Sequence, residues 1–217
     1  MKKAIIAFAA LLATTTASYA QKGFSLSVKA APQLSYMLNA DDKDNEFYKT
    51  KGQFGFAAGI GAGYNFSDHH GIGVDAIYSY EGRRFELLGS EFDQRISYLK
   101  VPVYFAYSFN TGHTFSYTAK VGPQASFLLG SKLMDQDGRE LSENTNDLFS
   151  DVNFGAMAGF DVDAQVAPAM QVSLGVRADG NFTNSENEDA AGYNTNRAGT
   201  HNLTPGVFVG LKYQFGK

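Results

Sequence analysis

Ten charged residues in this chain fall where an alternating strand would turn them to its less apolar side: Lys29, Asp75, Glu81, Lys100, Lys120, Asp161, Asp163, Arg177, Asp179 and Lys212. Most are bracketed by apolar neighbours, as in Val28-Lys29-Ala30 and Leu99-Lys100-Val101. Five cations balance five anions, and charges removed from bulk water must pair. The expected chemistry is therefore a salt-bridge network that fills an interior. A narrow ion or proton path is the other use of the same residues. Catalysis has poorer material. With zero cysteines there is no thiol nucleophile, disulfide or Cys-ligated metal. His69, His70 and His113 fall in short turns; His201, in a longer loop, alone could meet a loop acid, and no further partner is identifiable to position a catalytic set. We expect no enzyme, no cofactor and no metal centre. The acidic runs 41–46, 135–140 and 186–189 read as solvated loops. Weak divalent-ion binding at Asp135-Gln136-Asp137-Gly138 is the sharper reading, but the later ligand positions of a calcium loop are missing.

The elements that must carry those charges are strands. Period-2 alternation dominates the chain. Phe24, Leu26, Val28, Ala30, Leu34 and Tyr36 oppose Ser25, Ser27, Lys29, Gln33 and Ser35. Leu99, Val101, Val103, Phe105, Tyr107 and Phe109 oppose Lys100, Tyr104, Ala106 and Ser108. Six further segments behave alike, although Ile77 breaks the pattern of the third. Connections alternate: short turns at 67–70, 110–113 and 167–168, longer loops at about 38–52, 82–94, 130–150 and 184–201. The expected fold is all-β: an eight-stranded antiparallel up-and-down transmembrane β-barrel. A soluble barrel would turn the apolar faces inward, where eight strands leave room for few large side chains. The Gly- and Ser-rich faces suit that narrow space better.

Aromatics gather at the strand ends. Phe24, Tyr64, Phe66, Tyr107, Phe109, Phe115, Tyr117, Tyr213 and Phe215 would form one girdle. Tyr36, Phe54, Phe56, Tyr78, Tyr80, Phe127, Phe154 and Phe182 would form the other. Ala, Val, Ile and Leu lie between, as expected for an apolar band crossing lipid. Pro32, Pro102, Pro123 and Pro205 fall inside strands, and a closed barrel has no edge to hide them on, so bulges are expected there.

Residues 1–20 read as a cleavable signal peptide: Lys2 and Lys3, an apolar run from Ala4 to Ala13, then Ser18-Tyr19-Ala20. The run is shorter than the roughly 20 residues of a spanning helix. Residues 21–217 would be one barrel domain. Without Lys2 and Lys3 the 18 basic residues become 16 against 22 acidic, a net charge of −6, which argues against nucleic acid as a partner. The expected location is the outer membrane, with both termini periplasmic.

Three segments carry a family likeness: Tyr98-Leu99-Lys100-Val101-Pro102-Val103, Lys120-Val121-Gly122-Pro123-Gln124-Ala125-Ser126-Phe127, and Phe154-Gly155-Ala156-Met157-Ala158-Gly159-Phe160. In these the chain resembles the PorT-type outer-membrane β-barrel proteins, of the size and strand count of the OmpX/OmpA class. The resemblance implies an outer-membrane location and eight strands, and it brings no catalytic set. The expected partners are outer-membrane lipid and lipopolysaccharide, the outer-membrane assembly machinery, and surface or secretion-system proteins, with no nucleic acid. The expected role is structural or surface-interacting, through the acidic outer loops; an accessory of a secretion system and a narrow transport pore are the alternatives.

Overall fold

The computed structural model describes residues 23–42, 48–87, 90–109, 111, 113–135, 137–142 and 144–215. The expected signal peptide, 1–20, lies outside the described residues. Nine strands follow one another among them: β1 (Gly23–Leu38), β2 (Tyr48–Asn65), β3 (His70–Leu87), β4 (Ser90–Phe109), β5 (Phe115–Asp135), β6 (Glu140–Ser142), β7 (Val152–Ala167), β8 (Met170–Asn181) and β9 (His201–Phe215). All pairings are antiparallel. β4 pairs with β5, β5 with β7, and β9 returns to β1, which closes eight long strands into a barrel. β6 is a three-residue addition beside the far end of β5.

The stagger follows from the register. Partners traced from Gly23 through Asn65, Gly71, Ala106, Lys120, Gly159, Arg177 and Gly206 return to β1 at Gln33, ten residues further on. Eight strands with that shear tilt by about 40° and enclose a backbone radius of about 8 Å. Period-2 alternation then decides the two faces. Phe54, Ile60 and Val103 stand outward, 63%, 64% and 54% exposed, while Gln53, Asp75 and Lys100 are buried inward. Phe54 and Tyr64 are ten residues apart on β2. At this tilt that is about 25 Å of height, which matches the apolar band of an outer-membrane barrel.

Three expectations need correction. Residues 82–87 and 90–94 are strand and not loop: β3 and β4 continue their ladder to Leu87 and Ser90. Their outward face carries Arg84, Glu86, Glu91 and Asp93 because it rises above the band into water. There Arg84 pairs with Asp93 at 2.6 Å and Lys51 with Glu91 at 2.6 Å. Lys51 holds the exposed Glu91 carboxyl below its usual range by a hydrogen bond and by its charge. The 130–150 loop likewise contains the end of β5, all of β6 and a 3-10 turn at Asn146–Leu148.

The prolines produce no bulges. Each lies within a two-residue lapse in one flanking ladder, and the register resumes unshifted. In the β1–β9 ladder, pairing lapses opposite Pro32 and again opposite Pro205. Pro102 lies in a lapse between β3 and β4, and Pro123 in one between β4 and β5. A proline removes one N–H, which faces only one neighbouring strand, so the opposite ladder holds: Pro32 still pairs with Phe56, and Pro123 with Ala156. The register shifts fall elsewhere, at Gly52/Phe56 and Ser97/Tyr98 among others.

Candidate functional site

The lumen is a stack of charged and apolar tiers. Their order follows from the register, starting at the end that carries Gly23, Phe215 and the short turns. Lowest is Lys212, 3.3 Å from Asp163, whose carboxylate also accepts hydrogen bonds from Thr118 at 3.0 Å and from Ser173. Above it Lys29 lies 2.7 Å from Asp75, and Lys120 bonds Asp161. Tyr104 stands between these pairs. Its hydroxyl donates to Asp75 at 3.2 Å, and its ring lies 6.0 Å from the Lys29 ammonium and 5.4 Å from that of Lys120.

Ala31, Ala57 and Ile77, with Phe208 packed on them, form an apolar tier. Ile77 breaks the sequence pattern because its side chain belongs to this inner cluster. Next, Lys100 is held 3.0 Å from Glu81 and 2.5 Å from Asp179. Thr204 donates to Glu81 at 2.6 Å, and Gln124 to Asp179 at 3.2 Å. Arg177 joins the two charged levels: it bonds Gln124 and lies 3.4 Å from Asp179, 4.0 Å from Asp75, and 5.6 Å over the Phe208 ring. The structure thus brings all ten charged residues into one lumen, each with an ion-pair partner of opposite sign.

Glycines make that packing fit. A Cβ on Gly61 would stand 2.2 Å from the Asp75 carboxylate, and one on Gly175 would stand 2.1 Å from that of Asp161. Tyr104 lies over Gly73 in the same way, at 2.5 Å. Tyr104, Gln124 and Thr204 were not singled out by charge, although their place on the polar faces was readable from alternation.

Above the ions, Met37, Ile96, Tyr98 and Phe149 form a buried apolar plug with Leu128 against it. Phe149 comes from the segment between β6 and β7, and this segment is tied down. Ser150 donates to the carbonyls of Asn184 and Glu186 at 2.9 and 3.1 Å. Arg197 bonds Asp42 at 2.9 and 3.0 Å and Glu186 at 3.2 Å, and Glu186 lies 3.7 Å from Arg83. Asn39 donates to Ala198 and Thr200 at 2.6 and 2.9 Å. Two acids of the runs read as solvated, Asp42 and Glu186, are therefore fastened into a cap. Asp135 accepts from the backbone of Asp137 and Arg139 and so shapes a turn. Among the described residues no group of three His, Cys, Asp or Glu is arranged to hold a metal.

The girdle aromatics lie on the outward faces. On the short-turn side Phe24 packs on Phe215 at 5.8 Å and Phe109 on Tyr117 at 5.8 Å; on the other side Phe56 meets Tyr80 at 5.5 Å. Tyr213 points outward too, yet only 9% of it is exposed; it meets Phe215 edge-on at 4.8 Å. His69 and His70 belong to the same belt, with rings 6.1 and 5.2 Å from Tyr107.

A family model described as "Outer membrane protein beta-barrel domain" matches residues 15–187. The fold is similar to the crystal structure of the outer membrane protein OprG from Pseudomonas aeruginosa, with a TM-score of 0.53 at 13% identity, over 92% of this chain and 99% of that one. It is similar also to Neisserial surface protein A, with a TM-score of 0.52 at 14% identity, over 93% and 100% of the two chains. At such identities the likeness is one of fold. Among curated protein sequences none matches the chain.

Proposed function

Because the chain belongs to the outer membrane protein β-barrel domain family, we propose that it is a non-conducting barrel that works through the surface at its long-loop end. In this reading that end faces outward from the cell and both termini are periplasmic. Within the family we place it nearest the PorT-type barrels, on the segments 98–103, 120–127 and 154–160. Its partners are outer-membrane lipid, lipopolysaccharide and surface proteins.

The observation that carries the proposal is the sealed lumen. Lys100 fills the gap between Glu81 and Asp179 with its side chain 5% exposed, and the Met37–Phe149 plug lies above it. An ion crossing here would have to displace paired charges and then an apolar tier, where an unpaired charge is costly. The cap offers a shaped surface instead, held by Arg197.

The test is planar-bilayer recording of the refolded chain, together with affinity isolation from native envelopes using the wild type and a variant with 184–199 replaced by a short turn. We expect silent bilayers and partners that are lost with the loop. Reproducible single-channel steps would replace this reading with a pore. Secretion components retained by the loop-shortened barrel would replace it with an accessory role in secretion.

A further inference from the structure

A cavity of about 90 Å³ occupies the short-turn half of the lumen. Four cations line it, Lys29, Lys120, Arg177 and Lys212, against the carboxylates of Asp75 and Asp161. The two signs are not presented equally. Asp75 and Asp163 are 2% exposed. Asp75 is pressed over Gly61, and Asp163 is bonded by Thr118 and Ser173. The side chains of Lys29, Lys120 and Lys212 keep 13%, 18% and 25% of their surface open. Of the three acids only Asp161, at 16%, has comparable access. Two carboxylates are therefore sunk into the wall while ammonium groups face the hollow.

Arg177 adds a second observation. Its side chain is 6% exposed, it lines the cavity, and its Nε and Nη1 have only ion-pair contacts, at 3.4 Å to Asp179 and 4.0 Å to Asp75, with no hydrogen bond among the described residues. Such donors are costly to bury unmet. The hydroxyl of Ser27, on the same wall, adds a donor.

We propose that this vestibule binds a small oxyanion of the phosphate or sulfate class. The volume equals about three waters at roughly 30 Å³ each, enough for one tetrahedral oxyanion. The anion gains charge-assisted hydrogen bonds from lysines whose own partners stay in place. The upper charged tier cannot serve, since Lys100 lies between two carboxylates beside a hollow of about 10 Å³. A lipid headgroup phosphate shares the chemistry of the free ion, and the experiment separates the two.

The full mature chain, refolded in a maltoside detergent, is titrated with sodium phosphate and sodium sulfate at constant ionic strength in chloride. Calorimetry and phosphorus NMR line width report binding. Inorganic phosphate is expected to saturate one site and to be displaced by sulfate. The paired variant Lys29→Gln/Asp75→Asn keeps the tier neutral, and Lys212→Gln alters the most open lysine. Each is expected to weaken binding at least tenfold with heat-modifiable gel mobility retained, while Lys51→Gln above the band changes nothing. A short-chain phosphatidic acid that binds in a lysine-dependent way where inorganic phosphate does not would assign the site to a headgroup. Absence of saturable binding by all three, or affinities unchanged in both lumen variants, would overturn the proposal.

Discussion

Lys100→Met tests whether the lumen network is held by charge pairing or merely by its shape. Methionine fills much of the lysine volume but leaves Glu81 and Asp179 without the ammonium between them. Breaking a buried pair by removing one partner costs about 3–5 kcal/mol. The low end applies here, about 3 kcal/mol, because the two acids are not equally stranded. Asp179 keeps Arg177 Nε at 3.4 Å and Gln124 at 3.2 Å. Glu81 keeps the 2.6 Å hydrogen bond from Thr204, and among the described residues no second cation lies within ion-pair distance of it. Adding Glu81→Gln should therefore recover about 2 kcal/mol, and adding Asp179→Asn about 1 kcal/mol or less. The chain contains no Trp, so urea unfolding is followed by circular dichroism and by the heat-modifiable gel shift. A Lys100→Met barrel within about 0.5 kcal/mol of wild type would refute the argument for pairing. Rescue by Asp179→Asn exceeding rescue by Glu81→Gln would refute the geometry used to apportion it.

Gly61→Ala places a methyl 2.2 Å from the Asp75 carboxylate and 2.7 Å from Ser27 Oγ; overpacking of that kind should cost about 1–3 kcal/mol in the same urea assay. Gly63→Ala, with 3.0 Å to Ser25 Oγ, should cost clearly less. Val103→Arg, on the outward face at mid-height, should destabilise the barrel in lipid by about 2–4 kcal/mol, whereas Phe182→Arg at the long-loop girdle should cost about 0–1 kcal/mol; equal costs would refute the placement of the band. Arg197→Ala removes the guanidinium that joins Asp42 to Glu186, and limited proteolysis should then cut within 184–200 at least several-fold faster while the barrel core unfolds at an unchanged urea midpoint.

The fold was legible because one rule, alternation, acts in every strand. Lipid on one side and a narrow polar interior on the other leave few residues free to disobey it. The same rule exposed the ten lumen charges, since a lysine between Leu99 and Val101 has only one sensible direction to face. Legibility ended where the two solvents become one. Above the band the outward face of β3 and β4 meets water, so it carries Arg84, Glu86, Glu91 and Asp93 in place of lipid-facing apolar residues, and strand looked like loop. The inward placement of Ile77 and Phe208 was unreadable for another reason. Whether an inward residue is apolar or charged depends on which tier its height falls in, and height is set by the shear, which no single strand reveals. Partner choice was hidden likewise: Lys100 meets Glu81 on the adjacent strand and Asp179 from across the lumen.

The glycines connect these observations. In a barrel of about 8 Å radius, inward side chains from opposite walls compete for the same volume. A carboxylate can sink toward the wall, leaving its lysine to reach across, where the neighbouring strand offers no Cβ. Gly61 does this for Asp75, and Gly73 makes room for the tyrosine that bonds Asp75. Gly175 lies against Asp161 in the same way, but that carboxylate keeps 16% of its surface open. Asp163 is drawn to the wall by the hydroxyls of Thr118 and Ser173 instead. The asymmetry that turns ammonium groups toward the vestibule thus originates in the glycine at position 61 and in the hydroxyls beside Asp163, not in the count of charges, which is balanced. A lumen with the same ten charges but alanine at position 61 would have to push Asp75 into the hollow, filling space and cancelling part of the positive wall together.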